Sequence, residues 1–271
     1  MSRDTSRPLP LLAGVRAIFS LSLEGMAWTR RNALMALLLG LPALFALLYR
    51  VTLAAQLPAS VSPLDLYGSI VALYYVRNAV PLAALFYATS LIADEVEDRT
   101  ITYLLTRPVG RASILLGKYA AYAATTLSLA LPALAVSFLL LATARGLEGL
   151  RSGLADLPRD LGAVALGLLA YGGLFALMGV VLRRPVIPGL LFLFVWEMLA
   201  NLPGYLPRFT LTAWLRSLVG HRPPEEGLLA QLFTPAVLPP ATSLAVLAVA
   251  TAACVALAVA IFARREYVLE Q

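Results

Sequence analysis

Long apolar runs separated by short polar or proline-rich stretches dominate this chain. A helix that spans a lipid bilayer needs about 20 mostly apolar residues, and six stretches of the sequence come close to that length. They predict an all-α integral membrane protein with six transmembrane helices and no separate soluble domain of ordinary size. The predicted spans are residues 33–52, 73–93, 119–142, 161–182, 186–203 and 241–262.

The segment before the first span, residues 11–32, has a different pattern. Its apolar residues recur at helical spacing with polar residues between them, and Trp28, Arg30 and Arg31 close the segment. This pattern predicts an amphipathic helix that lies in the membrane interface, anchored at the lipid headgroups. The alternative is a first span that begins early and continues as one long helix.

The longest predicted outer loop, residues 201–240, contains seven prolines around two short apolar stretches, FTLTAWLRSLVG and EEGLLAQLF. These stretches are too short to span and too apolar to stay in water. We therefore expect short re-entrant or interfacial helices between spans five and six. Five glycines also crowd the fourth predicted span, and small residues of this kind indicate close helix packing more than a ligand site.

Composition agrees with a membrane location. Hydrophobic residues make up 60% of the chain, charged residues only 13%, and the net charge is +6. The basic residues concentrate beside alternate ends of the predicted spans, so the positive-inside rule places both termini in the cytoplasm. This distribution explains the charge better than nucleic-acid binding does. We expect one multi-pass domain, residues 1–271, in the cytoplasmic (inner) membrane: an N-terminal part (1–32), a bundle (33–262) and a cytoplasmic tail (263–271).

The residues needed for catalysis or metal binding are scarce. One histidine (His221), one cysteine (Cys254) and one lysine (Lys118) cannot supply the usual ligands of a transition-metal site or a serine-histidine-aspartate arrangement. A phosphate-binding loop also fails, because six residues instead of four separate Gly110 from Gly117 and a tyrosine follows Lys118. We expect no catalytic, metal or cofactor residues here, so any ATP and Mg²⁺ would be bound by another chain.

Four carboxylates within five residues follow the second predicted span, in the stretch IADEVEDRTITYLLTRPVGR (92–111). In a helix several of them would face one another at spacings of three and four, which is unfavourable. They fit a solvated helix end that neutralises nearby arginines, a site for a divalent cation, or a docking surface for a soluble partner. A short apolar piece, ITYLL, follows them and leads through Arg107-Pro108 into the third span, an order suited to passing a push from a docked partner into the membrane.

This loop resembles the first cytoplasmic loop of permease subunits of ATP-binding-cassette (ABC) exporters of the type-2 class. Those loops have acids after the second span, then a threonine, an apolar pair, a proline, a basic residue and a Gly-Lys pair. The amphipathic segment before an Arg-Arg first span, the six spans and the ending FARRE add to the resemblance. Asp98-Arg99 departs from the pattern, since many relatives have a small residue before the threonine. The implied ATPase-coupling residues are Asp94, Glu95, Glu97, Asp98, Arg99, Thr100, Leu104, Pro108, Arg111 and Lys118.

The resemblance implies a permease that exports a substrate with energy from ATP hydrolysis on a separate subunit. Two copies of a cytoplasmic ABC ATPase would dock on the loop 94–118 and on the N-terminal helix. A second permease copy or a close paralogue would complete the path, and a short coupling helix at about residues 99–105 would transmit closure of the ATPases.

Two ionisable residues lie within predicted spans, where charges are expensive and often functional. Glu197 is about 20 Å from the cytoplasmic edge at 1.5 Å per residue, and Arg77 is about 26 Å from it. The sequence therefore suggests an Arg77–Glu197 pair that lines or closes the outer end of the path. The alternative is that each side chain reaches the outer headgroups separately.

Two other functions remain open at this point. A non-transporting membrane scaffold or assembly factor would use the same acidic loop to recruit a cytoplasmic partner. An ion-coupled transporter would need paired broken spans and acids near the midplane, and Glu197 alone does not meet that. The identity of the substrate does not follow from the sequence.

Overall fold

A computed structural model of the chain describes residues 10–27, 29–56, 61–91, 109–202, 205–221 and 238–264. Within these ranges the chain is helical and contains no β-strand, which confirms the all-α prediction. The main helices are α1 (Leu11–Ala27), α2 (Arg30–Ala54), α3 (Pro63–Ala88), α4 (Arg111–Ala142), α5 (Gly146–Gly153), α6 (Leu157–Val181), α7 (Val186–Asn201), α8 (Leu211–Leu218) and α9 (Pro240–Arg264).

Five of the described helices are long and apolar enough to cross a membrane: α2, α3, α4, α6 and α9. They overlap five of the six apolar runs in the sequence, but α3 begins ten residues before the predicted span 73–93. The fifth run forms α7, which is shorter and changes type along its length. It is α-helical at Val186–Leu191, π-helical at Phe192–Trp196 and 3-10 helical at Glu197–Asn201.

Helix α1 is separate from α2. The side chain of Thr29 accepts a hydrogen bond from the backbone N–H of Asn32, so it caps the start of α2. One continuous helix from residue 11 through the first span is therefore wrong. Instead α1 packs against the beginning of α4, where Gly14 and Ile18 of α1 are buried.

The middle of α3 is a π-helix, Ile70–Ala79. Pro81 lies two residues after its end, and a proline ring crowds the carbonyl group four residues earlier, here that of Arg77. Widening of the helix relieves this crowding, and the N–H of Val80 bonds to the carbonyl of Tyr75, five residues back. Such π segments inside α-helices are frequent at functional sites.

Helix α6 lies at the centre of the bundle, in contact with α3, α4, α8 and α9. Its glycines let neighbours approach closely. A Cβ added at Gly172 would overlap the ring of Tyr122, and one at Gly179 would lie 2.6 Å from the carbonyl oxygen of Thr89. These contacts support the interpretation of the glycines as packing residues.

The short helix α8 is packed among the long helices. It contacts α9, α6 and the π segment of α3, and Leu215 at its centre is fully buried against Gly167 of α6. Its N-terminal end lies beside Tyr171, since the hydroxyl groups of Tyr171 and Thr212 are 2.9 Å apart. After α8 the chain reaches His221, which lies beside Asp160 of α6. Asp160 and Tyr171 are about 17 Å apart along α6. The stretch FTLTAWLRSLVG thus enters the bundle instead of lying on its surface.

Candidate functional site

Most of the predicted ATPase-coupling residues fall in residues 92–108, outside the described part of the chain. They are Asp94, Glu95, Glu97, Asp98, Arg99, Thr100, Leu104 and Pro108. Arg111 and Lys118 are described, and they show how the two ends of this segment are attached to the bundle. We call the group formed by Leu91, Arg111, Gly117 and Lys118 the junction.

Lys118 links the end of the second long helix to the start of the third. Its ammonium group donates a hydrogen bond of 2.9 Å to the carbonyl oxygen of Leu91, and its side chain is largely buried. A lysine at this position satisfies a carbonyl group that a helix end leaves without a backbone donor. Leu91, which precedes residues 92–110, is therefore hydrogen-bonded directly to α4, the helix that follows them.

Gly117 brings α1 into the same junction. A Cβ added to Gly117 would lie 2.8 Å from the Cβ of Ile18 and 2.9 Å from the carbonyl oxygen of Val15, closer than side-chain carbons normally approach. The hydroxyl of Ser113 also donates to the carbonyl of Leu11, at 3.2 Å. The N-terminal helix is thus packed tightly on the helix that leaves the predicted coupling segment.

Arg111 connects the junction to the last long helix. Its guanidinium group donates a hydrogen bond of 3.2 Å to the carbonyl oxygen of Ala263, near the end of α9. In addition, the guanidinium group of Arg31 donates to the hydroxyl of Ser90, and the hydroxyl of Tyr87 donates to the side-chain oxygen of Asn32. Helices α1, α2, α3, α4 and α9 therefore all have polar or close contacts at this end of the bundle.

Glu197 forms a second polar site inside the bundle, at the point where α7 ends. Its carboxylate accepts hydrogen bonds from the backbone N–H groups of Leu211 (3.2 Å) and Thr212 (3.0 Å), and the side chain is 8% exposed. These N–H groups form the positive end of α8, which favours a negative charge there. Glu197 thus fixes the start of α8 to the end of α7.

The structure does not bring Arg77 and Glu197 into a direct ion pair. Both residues are described, but Arg77 is exposed on α3 while Glu197 binds the amides of α8. Arg216 of α8 lies close enough to both for electrostatic interaction, repulsive with Arg77 and attractive with Glu197, and it donates to the side-chain oxygen of Asn201 at 3.0 Å. The sequence predicts a span at residues 186–203 but gives no sign that α8 returns to Glu197.

A third site, at the opposite end of the bundle from the junction, was not found from the sequence. Nε2 of His221 lies 3.0 Å from Oδ2 of Asp160, which is fully buried. The ring of Tyr67 packs edge-on against His221 at 5.4 Å. The hydrogen bond to Asp160 is the main cause of a raised pKa of His221, and the nearby Asp156 and Asp65 also raise it, whereas partial burial opposes the shift.

The family model described as ABC-2 family transporter protein matches residues 21–200, which include α2 to α6 and most of α7. No curated protein matches the chain at a significant level. The matched region covers the predicted coupling segment and both of its attachment points, Leu91 and Lys118. The chain therefore belongs to the ABC-2 family of transporter proteins, and it is a multi-pass membrane permease component of an ABC transporter.

Proposed function

We propose that this permease exports its substrate across the cytoplasmic (inner) membrane, driven by a separate ABC ATPase that docks at the junction. ATP and Mg²⁺ would be bound by two copies of that ATPase, and two permease copies, or this chain and a close paralogue, would enclose the path. Both termini would face the cytoplasm, with α7 as a sixth, interrupted span and α1 in the interface. The observation that carries the proposal is the junction, where Leu91 is hydrogen-bonded to Lys118 of α4 and α4 is packed on α1.

The junction suits force transmission because its contacts are short and polar or closely packed. A displacement of the coupling segment acts on Leu91 and Lys118 at the same time, since one hydrogen bond joins them. Tight packing at Gly117 carries the displacement to α1, and well-packed interiors transmit strain instead of absorbing it. Helices α1, α3 and α4 would therefore move together.

Movement of α3 would reach the opposite end of the bundle through α8. The π segment of α3 contacts α8, and α8 is held at its start by Glu197 and followed by His221 on Asp160. A shift of α3 relative to α6 would therefore act on α8. We propose that α8 lines or closes the outer half of the path in the assembled transporter.

A membrane scaffold that recruits a cytoplasmic partner without transport remains the second candidate. It would use the same acidic segment for recruitment but would not need close contacts among α1, α3, α4 and α9 at the junction. The dense junction favours transport. A neighbouring gene for a chain with a phosphate-binding loop would favour it further.

The test is co-purification of the chain with its neighbouring gene products, followed by measurement of ATP hydrolysis. The wild type, the double variant Glu95→Gln/Glu97→Gln and the control variant Glu148→Gln would be compared, because Glu148 is an exposed carboxylate on α5, away from the junction. We expect an ATPase to bind the wild type and the control, and to be lost or uncoupled in the double variant. Absence of any ATPase from the wild-type preparation would favour the scaffold.

A further inference from the structure

Arg77 is an exposed arginine in the middle of a long apolar helix. It follows Gly68, which packs against His221, by nine residues, and it precedes Leu91 of the junction by fourteen. At the α-helical rise these separations are about 14 Å and about 21 Å. Arg77 therefore lies far from both ends of α3, at a depth where an isolated charge is expensive in a membrane.

The described part of the chain does not neutralise this charge. Arg77 forms no hydrogen bond or ion pair with any residue that the structure describes. Arg216, which interacts with it electrostatically, is also positive. Glu197 is the one carboxylate at this depth among the described helices, and backbone amides of α8 occupy both its oxygens. The two arginines and Glu197 together carry a net charge of one positive unit.

A second copy of the described helices would not supply the missing anion. The other carboxylates in the long helices, Asp65 and Asp160, lie in the first turns of α3 and α6, about 18 Å along α3 from Arg77 in the case of Asp65. The stem of an arginine can extend toward the headgroups, but it does not bridge a distance of this size. Among the residues that the structure describes, none supplies an anion to Arg77, which leaves its guanidinium group open to an anionic ligand.

The local geometry fits an anionic ligand. The π-helical segment presents Arg77 outward, and the side-chain amide of Asn78 is held by the carbonyl oxygen of Leu73 at 2.6 Å, so that it does not compete for the ligand. Arg216 is partly exposed and oriented by Asn201. Guanidinium groups bind the oxygens of phosphates and carboxylates in pairs of hydrogen bonds, and the apolar surface of α3 beside Arg77, with Leu73 40% exposed, suits a hydrocarbon chain.

We propose that Arg77, with Arg216 beside it, binds the phosphate or carboxylate group of an amphiphilic molecule that this permease transports. The role of the site in transport rests on the proposed function, whereas the binding of the anion does not. Binding belongs to the single chain and needs no ATPase. The substrate class is therefore an anionic amphiphile.

The binding test uses the full chain in phosphatidylcholine nanodiscs and radiolabelled dodecyl phosphate, with empty nanodiscs as background. Unlabelled dodecyl phosphate and laurate should compete, whereas dodecanol, which has the same hydrocarbon chain without the charge, should not. Arg77→Gln should weaken binding at least about tenfold, because it removes a charged hydrogen-bond donor. Arg77→Lys should retain part of the affinity, and Arg151→Gln, at an exposed arginine of α5, should match the wild type.

Equal binding by the wild type and Arg77→Gln, or competition by dodecanol, would overturn the site. A second measurement addresses transport: dodecyl phosphate should stimulate ATP hydrolysis by the assembled complex, and Arg77→Gln should abolish that stimulation. If the complex hydrolyses ATP but dodecyl phosphate has no effect, the site holds a structural lipid anion and the transport role is overturned. A complex without any ATP hydrolysis contradicts the proposed function instead, and the binding result is decided separately.

Discussion

The imidazole of His221 is hydrogen-bonded to the buried carboxylate of Asp160, with 3.0 Å between Nε2 and Oδ2. The two residues are 61 positions apart in the sequence, and the contact holds the chain after α8 to the beginning of α6. The contact is strongest when the ring is protonated, since Asp160 then faces a positive charge. Because this pair is far from the junction, its effect on stability can be measured without the ATPase.

The first prediction concerns pH. The folded chain raises the pKa of His221 above its ordinary value of 6.5, so the charged ring stabilises the folded state. That contribution is complete below about pH 6.5 and decreases as the pH rises through the folded-state pKa. We expect the unfolding temperature of the wild type in detergent to fall over this range more steeply than that of His221→Asn. Parallel pH profiles of the two proteins would contradict the assignment.

The second prediction concerns Gly117. An added methyl group at this position would overlap Ile18 and the backbone of Val15, so Gly117→Ala should displace α1 and lower the free energy of unfolding by about 1–3 kcal/mol. Gly162 of α6 is the matched control, because a Cβ there meets no atom within 4 Å. Gly162→Ala should be neutral or stabilising, by up to about 1 kcal/mol. Thermal unfolding of both variants distinguishes a steric effect from a general effect of glycine replacement.

The third prediction concerns Lys118. Lys118→Met keeps most of the apolar stem but leaves the carbonyl of Leu91 without its ammonium donor, which should cost about 1–3 kcal/mol of stability. If the junction transmits force, this variant should still bind the ATPase but lose coupling between ATP hydrolysis and transport. Arg16→Met removes an exposed cation from α1 and serves as the control. Full coupling in Lys118→Met would show that the hydrogen bond to Leu91 is structural only.

The fourth prediction concerns Glu197 and Arg77. Glu197 now accepts hydrogen bonds from two backbone N–H groups. Glu197→Gln replaces one of its oxygens with an amide NH₂ group, which cannot accept a hydrogen bond, so the free energy of unfolding should fall by about 1–3 kcal/mol. Met198→Leu, at a neighbouring position that is 67% exposed, should change it by less than about 0.5 kcal/mol.

Arg77 does not contact Glu197, although Arg216 interacts with both, so the changes of stability caused by Arg77→Gln and Glu197→Gln should add to within about 1 kcal/mol. If the double variant is no less stable than the less stable of the two single variants, Arg77 and Glu197 form a direct pair after all.

The existence of the five long helices could be predicted from the sequence, because the length of an apolar run determines whether a helix can cross a bilayer, but α3 begins ten residues before its predicted span. The way in which α7 ends could not be predicted from the sequence. It depends on the amides of Leu211 and Thr212, which return from 14 and 15 residues further along the chain to reach Glu197. No local pattern around Glu197 shows that its partner is a helix start instead of an arginine.

The candidate sites divide in the same way. Gly117 and Lys118 could be identified because they stand in a short pattern shared with a known family, but their partners Ile18 and Leu91 depend on tertiary packing. His221 and Asp160 belong to no pattern at all. A lone histidine after a short apolar stretch gives no indication of which distant carboxylate it will meet.

The packing of Gly14 and Ile18 on the start of α4 has a consequence for biosynthesis. Helix α1 leaves the ribosome about 100 residues before Gly117 does, which corresponds to roughly 5–20 s at ordinary rates of translation. During that interval α1 has no protein surface to cover its apolar face, and the membrane interface or a chaperone must shield it. Assembly of α1 onto the bundle is therefore a late event, completed only after the third long helix has been inserted.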